Sequence, residues 1–269
     1  MEIDGLHVEV VGDGVPTLVL HGGLGVDHTL YRASLDPLAD ELQLIYLDHL
    51  GNGRSARPDP ATLTMAGWAD DALHAGRAVA GNAPLNVIGH SYGGFVAQEL
   101  AIRHPHAVGA LVLICTTPGH LGTGEEPARP GPPMPEEFAA LLSSLPETDD
   151  EVAAGMSALA AAYLHRADPD VLRDLMADTT FSATAMRRGF EVLAEWSSVD
   201  RLGAILAPTL ILAGRHDHFT SWPQADRIAA GVPGAEVVVF EDSAHFPWLE
   251  EPELFFTTLR DWLRRRDGT

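Results

Sequence analysis

The sequence lacks lysine altogether, and all 17 of its basic residues are arginine. This absence excludes catalysis through a lysine Schiff base or a lysine nucleophile. The formal net charge is −21, which argues against a nucleic-acid partner because phosphate binding requires clustered positive charge. The same acidic field disfavours anionic substrates, although its simplest role is to keep the protein in solution.

Cysteine and long apolar runs are also scarce. Cys115 is the only cysteine, so an internal disulfide and a cysteine-rich metal site are excluded. It ends an apolar run and is predicted to be a small buried residue on a strand. No apolar run approaches the roughly 18 residues of a membrane span. The acidic N-terminus also lacks the basic region of a secretory signal. We therefore expect a cytoplasmic protein with no membrane partner.

The organisation of the chain predicts the α/β fold class. Its 269 residues are 46% hydrophobic, enough for one large domain with a buried core. Short aliphatic runs alternate with helical patterns, which indicates a mostly parallel sheet with helices on both faces. The predicted strands are Leu6–Val11, Thr17–His21, Gln43–Asp48, Leu85–Gly89, Ala110–Cys115, Thr209–Ala213 and Glu236–Phe240, and the predicted helices include Thr64–Ala80, Ser91–His104, Pro223–Ala230 and Pro252–Arg265.

One region interrupts the alternation. Ten of the 18 residues from Pro118 to Pro135 are proline or glycine, which predicts a loop. Residues 136–198 then read as consecutive helices, with Ala-rich stretches at Val152–Leu164 and Pro169–Ala177. We therefore expect a core domain formed by residues 1–117 and 201–269, with residues 118–200 inserted as a helical cap, or lid.

The strongest chemical signal is Gly89-His-Ser-Tyr-Gly93, which fits G-x-S-x-G. An apolar strand precedes it and a helical pattern follows, as the motif requires. The glycines remove Cβ atoms that would clash in a sharp turn, and that turn exposes the Ser91 hydroxyl. Ser91 is therefore the predicted nucleophile.

A second glycine-rich turn follows the strand that ends at His21. Acyl transfer needs two backbone donors for the oxyanion that forms on the substrate. The predicted donors are the N–H groups of Gly23 and Tyr92, and Leu24 is the alternative to Gly23. His21 is predicted to brace the turn rather than to take part in the reaction.

Two further strands end close to an acid and a base. Asp217 follows the strand at 209–213, and His245 follows the strand at 236–240. Ser, Asp, His is the chain order of a triad on such a sheet, in which the carboxylate fixes the tautomer of the base. Glu241 and Asp242 are competing acids. His216 and His218 flank Asp217, but alternating side chains on a turn point apart, so no metal site is expected.

Together these motifs resemble the α/β-hydrolase superfamily along essentially the whole chain. Within it, the His21–Gly25 turn, the turn from Asp48 to Ser55 and the Gly89–Gly94 motif look like the proline iminopeptidase branch. The resemblance implies an eight-stranded, mostly parallel sheet with a cap after the sixth strand. It also implies cap acids that hold a substrate amine, for which the candidates are Glu136, Glu137, Glu151, Glu191 and Glu195. The same motifs also occur in esterases, lactonases and carbon–carbon bond hydrolases.

The resulting hypothesis is a serine hydrolase that needs no cofactor and acts on a small-molecule ester, lactone or amide. Ser91 would form an acyl-enzyme, and His245 and Asp217 would serve as base and orienting acid. The residues predicted to border the substrate are Leu24, Phe138, Trp196 and Phe246. The non-enzymatic alternative is a hydrolase-like receptor that binds a small molecule without turnover.

Overall fold

A computed structural model describes residues 1–119, 132–133 and 135–267. Its centre is a single eight-stranded sheet with the order β1-β2-β4-β3-β5-β6-β7-β8. β2 is antiparallel to both of its neighbours. The other strands of this order, from β4 through β3 to β8, run parallel to one another. The strands are β1 Glu2–Ile3, β2 Leu6–Val11, β3 Val15–Leu20, β4 Leu42–Leu47, β5 Leu85–His90, β6 Val108–Ile114, β7 Thr209–Gly214 and β8 Glu236–Phe240.

Helices cover both faces of this sheet, as the apolar strands require. In β6, Leu111 and Leu113 belong to one buried layer, whereas Val112 and Ile114 belong to the other. The alternation follows from the two-residue period of a strand. The helices are α1 Thr29–Leu35, α2 Met65–Ala80, α3 Tyr92–Arg103, α4 Glu136–Ser143, α5 Asp149–Leu159, α6 Pro169–Leu175, α7 Ala183–Glu195, α8 Pro223–Gly231, α9 Pro247–Glu250 and α10 Pro252–Asp267. No helix in the described ranges is long and apolar enough to cross a membrane.

The two layers are built from different helices. One contains buried residues of α2, α3 and α8, such as Trp68, Phe95 and Ile228, and the other contains those of α1 and α10, such as Tyr31 and Phe255. Each layer removes large side chains from water, at roughly 25 cal/mol per Å² of apolar surface. The predicted α/β fold class, with its mostly parallel eight-stranded sheet, is therefore confirmed.

Helices α4 to α7 form the insertion, which lies between β6 and β7. Its two ends meet, because Gly119 forms an antiparallel bridge with Ser197, and the backbone N–H of Ser198 donates to Pro118 O at 2.8 Å. Helix α5 begins at a capping box formed by Thr148 and Glu151. Most of the predicted 118–135 loop lies outside the described residues.

Candidate active site

Ser91 occupies the sharp turn between β5 and α3. Its backbone has φ +52° and ψ −116°, a conformation that costs a non-glycine residue roughly 1–3 kcal/mol and persists only when its surroundings hold it. Here its N–H donates to Ile114 O at 2.9 Å, and the Thr116 hydroxyl donates to Ser91 O at 2.8 Å. A Cβ on Gly89 would lie 2.5 Å from Gly93 O. Both glycines of the motif are therefore required by close backbone approach, as the sequence indicated.

His245 and Asp217 are in direct contact at the ends of β8 and β7. Nδ1 of His245 lies 2.8 Å from Oδ2 of Asp217, and both side chains are buried. Three further groups donate to the carboxylate: the N–H of Phe219 at 2.8 Å, the N–H of Thr220 at 3.2 Å and the Thr220 hydroxyl at 2.6 Å. The carboxylate therefore has a fixed orientation toward the imidazole.

The environment of Asp217 keeps it ionised. Burial alone would raise its pKa, but the charge of His245 and the hydrogen bonds from His245, Thr220 and Phe219 lower the pKa to about 2. An ionised carboxylate only accepts hydrogen bonds. Nδ1 of His245 therefore carries a proton, and its Nε2 is left with the lone pair that a base needs.

The competing acids have other partners. Glu241 forms an ion pair with Arg215, and Asp242 lies 2.6 Å from Arg166. Both carboxylates are at the surface. Of these acids, Asp217 is the one whose carboxylate contacts His245.

A small cavity lies in front of Ser91 and His245, and both line it. Its volume is about 80 Å³. It is therefore large enough to admit a small substrate group. Most of its lining is apolar, and the apolar side chains there include Leu24, Phe95, Phe138, Met156, Phe190 and Phe219.

The structure places the four predicted substrate-binding residues differently. Leu24 and Phe138 line this cavity, and Phe246 lines a smaller adjoining one that also contains Ser91 and His245. Trp196 is not among the described residues that line either cavity, so its place there stays a prediction. Its indole N–H instead donates to Glu99 at 2.8 Å, and its ring packs behind Phe95.

The predicted oxyanion donors lie beside the same cavity. Gly23, Leu24 and Tyr92 all line it. Gly23 has φ +65°, and a Cβ there would lie 2.7 Å from a methyl group of Val26. Tyr92 is the first residue of α3, where backbone N–H groups have no partner within the helix. The turn and the start of the helix therefore both lie at the cavity that Ser91 lines.

His21 is bonded within the turn that it was predicted to brace. Its Nε2 accepts from the N–H of His49 at 3.1 Å, and its Nδ1 lies 3.0 Å from Gly22 O. A carbonyl oxygen only accepts, so the proton is on Nδ1 and both ring nitrogens are used. The ring of His49 packs against this ring at a tilt, with centroids 4.3 Å apart. Its own ring nitrogens have no hydrogen-bond partner among the described residues.

The buried histidines predict a loss of stability in mild acid. Burial lowers the pKa values of His21, His49 and His90. Below the unfolded pKa of about 6.5, the unfolded chain binds protons that the folded chain does not. The free energy of unfolding should therefore fall as pH decreases from about 7, by up to about 1.4 kcal/mol per pH unit for each histidine. Urea unfolding at pH 7.5, 6.5 and 5.5 measures this dependence.

His49 isolates one contribution to that slope. We expect His49→Leu to reduce the slope of the free energy of unfolding against pH by up to the contribution of one proton, about 1.4 kcal/mol per pH unit. The reason is that the substitution removes a buried titratable ring. The same substitution at His106, which is exposed, should leave the slope unchanged. Equal slopes for the wild type and the His49 variant would contradict a neutral buried His49.

The hypothetical metal cluster around Asp217 does not form. His216 stacks on the ring of His165 with centroids 3.4 Å apart, whereas Nδ1 of His218 lies 2.7 Å from Pro133 O. Asp217 turns inward to His245. The three side chains therefore point to different surroundings, as expected for a turn.

Two other groups of described side chains hold potential ligand atoms within 4.8 Å of one another: His90, Cys115 and His245, and His7, Glu9 and His28. In the first group, His90 uses both ring nitrogens in hydrogen bonds and His245 uses one. In the second, Glu9 pairs with Arg32 and Arg54. Neither group offers the free donors that a metal site requires.

Sequence reasoning did not identify Thr220, Tyr31 or His90 as parts of the site. Thr220 could have been found, because an Asp often accepts hydrogen bonds from backbone groups two and three residues later. Tyr31 and His90 form a hydrogen bond across 59 positions of the chain. No local pattern signals such a pair.

Comparison with known proteins gives consistent matches. Residues 16–252 match the model of the alpha/beta hydrolase fold family. A pimeloyl-[acyl-carrier protein] methyl ester esterase from Shewanella sp. strain MR-7 is 29% identical, over 96% of this chain and 94% of that one. A proline iminopeptidase from Saccharolobus solfataricus is 24% identical, over 94% and 86%. The solved structure of Est816, an N-acyl homoserine lactone degrading enzyme, superimposes with a TM-score of 0.75 at 26% identity, over 97% and 98%.

Proposed function

This chain belongs to the α/β-hydrolase family and is a hydrolase, and from that premise we propose that it cleaves a small, neutral carboxylic ester or lactone through an acyl-enzyme on Ser91. One observation carries the proposal. A serine held in a strained turn shares a cavity with His245, whose Nδ1 lies 2.8 Å from a carboxylate. Acyl transfer requires a nucleophile, a base and an acid that orients the base, and these three side chains support that assignment.

In the acylation step, Ser91 Oγ forms a bond to the substrate carbonyl carbon while Nε2 of His245 accepts the hydroxyl proton. The imidazolium that results is stabilised by Asp217. When the tetrahedral intermediate collapses, the bond to the leaving oxygen breaks, and His245 returns its proton to that oxygen. A water molecule, deprotonated by the same nitrogen, then attacks the acyl-enzyme and releases the acid and free Ser91.

The negative oxygen of each intermediate would rest on the N–H groups of Gly23 and Tyr92. These amides are fixed before the substrate arrives, so they stabilise the developing charge without reorganisation. The positive end of the α3 dipole points to the same place. Leu24 N–H remains the alternative to Gly23.

We assign residues 118–200 as a cap that sets specificity. Phe138 of α4, Met156 of α5 and Phe190 of α7 contribute to the wall that faces Ser91. Apolar side chains at this wall would reduce the contact of a bound substrate with water and strengthen the electrostatic interactions beside it. The paired ends of the insertion, at 117–119 and 197–198, support this boundary.

The chemistry of the cavity favours a neutral acyl group over an amine. The described residues that line it carry no carboxylate. Glu151 is held in its capping box, Glu191 pairs with Arg188, and Glu195 borders a separate crevice. An aminopeptidase needs an acid that holds the substrate amine, so the ester and lactone activities of the relatives fit this site better than that of the iminopeptidase.

The first test is covalent labelling with a tagged fluorophosphonate, followed by intact mass. We expect a single adduct on the wild type, none on Ser91→Ala, and an undiminished adduct on Ser144→Ala, a surface control. An activated serine is the physical reason, because phosphonylation needs both the base and the oxyanion donors. Folded wild-type protein without an adduct would contradict the proposal and favour ligand binding without turnover.

Steady-state kinetics with a panel of substrates then test which acyl group the site prefers. Short neutral acyl esters and lactones should have kcat/KM values at least about 10-fold above those of the matched aminoacyl esters, because the cavity would leave an ammonium group unpaired. Higher kcat/KM for prolyl or other aminoacyl substrates would instead favour the iminopeptidase reaction.

A further inference from the structure

His90, the residue before the predicted nucleophile, is buried and uses both of its ring nitrogens. Nε2 lies 2.9 Å from the backbone oxygen of His245, and Nδ1 lies 2.8 Å from the hydroxyl of Tyr31. A carbonyl oxygen only accepts, so Nε2 carries the proton and Nδ1 accepts from the Tyr31 hydroxyl. The tautomer of His90 is thereby fixed by its two neighbours.

The same Tyr31 hydroxyl accepts from the backbone N–H of Gly22 at 2.7 Å. Gly22 immediately precedes Gly23, the proposed oxyanion donor. One directed chain of hydrogen bonds therefore runs from Gly22 through Tyr31 to His90. A bond from the other nitrogen of His90 continues it to His245.

We propose that His90 and Tyr31 are positioning residues. They hold the turn after β3, which carries the proposed oxyanion donor Gly23, and the base His245 in place relative to Ser91. This inference rests on the proposed roles of Ser91, Gly23 and His245. The turn after β3, the end of β5 and the loop after β8 are three separate segments. The hydrogen-bond chain connects them through two side chains to which the proposed reaction assigns no bond or proton transfer.

The surroundings of His90 and Tyr31 support one donor-to-acceptor direction along these hydrogen bonds. Burial, and then the nearby charge of His245, hold the pKa of His90 well below its usual range, while burial raises the pKa of Tyr31. The His90 ring also packs against the rings of His245 at 4.6 Å and Trp248 at 4.8 Å. A neutral, tightly packed imidazole cannot reverse its donor and acceptor nitrogens.

Steady-state kinetics of three variants test the proposal. Tyr31→Phe removes only the hydroxyl, and His90→Asn keeps an acceptor near Nδ1 but is too short for its amide N–H to reach His245 O. We expect each to lower kcat by about 10- to 100-fold, because displacements of about 1 Å have effects of this size. KM should change by less than about 3-fold, since the substrate contacts are intact. His90→Gln, which carries an amide N–H near Nε2, should recover at least about 3-fold of the loss.

Tyr46→Phe is the matched control, because it also removes the hydroxyl of a buried tyrosine, one that donates to Asp36 at 2.9 Å. Neither residue is among those that line the cavities beside Ser91. It should lower Tm but leave kcat unchanged. Affinity for a boronic acid that bonds to Ser91 should fall in parallel with kcat/KM in the Tyr31 and His90 variants.

The outcomes separate this proposal from the proposed function. Loss of the fluorophosphonate adduct in Ser91→Ala, together with kcat values within about 2-fold of wild type in folded Tyr31→Phe and His90→Asn, would overturn the positioning role alone. An adduct that persists in Ser91→Ala would overturn the function itself. If the His90 variants do not fold, the result for Tyr31→Phe decides, because that substitution preserves the shape of the ring.

Discussion

Asp217→Asn is expected to lower kcat by about 10⁴-fold and to leave the fold intact. Oδ1 of Asp217 accepts from the N–H groups of Phe219 and Thr220, and an asparagine oxygen can take its place. The amide nitrogen then faces His245. Because that nitrogen only donates, it favours a proton on Nε2 of the imidazole, and this tautomer cannot accept the proton of Ser91.

Asp242→Asn is the matched control for this experiment. Asp242 lies on the segment that leads to His245, but it is exposed and pairs with Arg166. We expect kcat within about 2-fold of wild type, since a surface ion pair contributes roughly 0–1 kcal/mol. Kinetics on an activated ester, with circular dichroism to verify folding, measure both variants. A small effect at Asp217 and a large one at Asp242 would reassign the orienting acid.

Much of the fold could be predicted because hydrophobic periodicity is a local property of the sequence. The prediction for β8, Glu236–Phe240, agrees with the structure at both ends, and β7 extends one residue beyond its prediction. The two-residue strand β1 carries no periodic pattern, so the sequence gives no sign of it. Helix α1 is short and follows a glycine-rich turn, which hides its periodicity.

Some residues of the candidate site could also be predicted from local sequence, whereas the positions of others depend on tertiary contacts. Ser91, Asp217 and His245 each follow an apolar strand within a few residues, so position along the chain predicts that they meet at one edge of the sheet. Trp196 shows the limit of such reasoning. Its aromatic character suggested a pocket wall, but its indole N–H donates to the buried carboxylate of Glu99, and it is not among the described residues that line the cavity. Tertiary contacts of this kind have no local signature.

The close approach of α3 to β3 predicts a large effect on stability. A Cβ on Gly93 would lie 2.0 Å from Leu20 O and 2.6 Å from His21 O. Both atoms belong to the backbone and cannot rotate away. We therefore expect Gly93→Ala to lower the free energy of unfolding by about 4 kcal/mol or more, a large fraction of the roughly 5–15 kcal/mol typical of a domain. Urea unfolding of purified protein measures the loss.

Gly155→Ala, the same substitution in helix α5, should have the opposite sign. Its Cβ would make an ordinary contact of 3.6 Å with Leu141, and alanine is favoured over glycine in a helix by about 0.5–1 kcal/mol.

A Gly93 variant as stable as the wild type would mean that α3 can move away from β3. The Tyr92 amide would then not be fixed beside the oxyanion turn, and the fluorophosphonate adduct on that variant should form at a reduced rate. Stability and labelling rate therefore report on the same contact, because the backbone approach that excludes a Cβ at Gly93 is also what brings the two proposed oxyanion donors together.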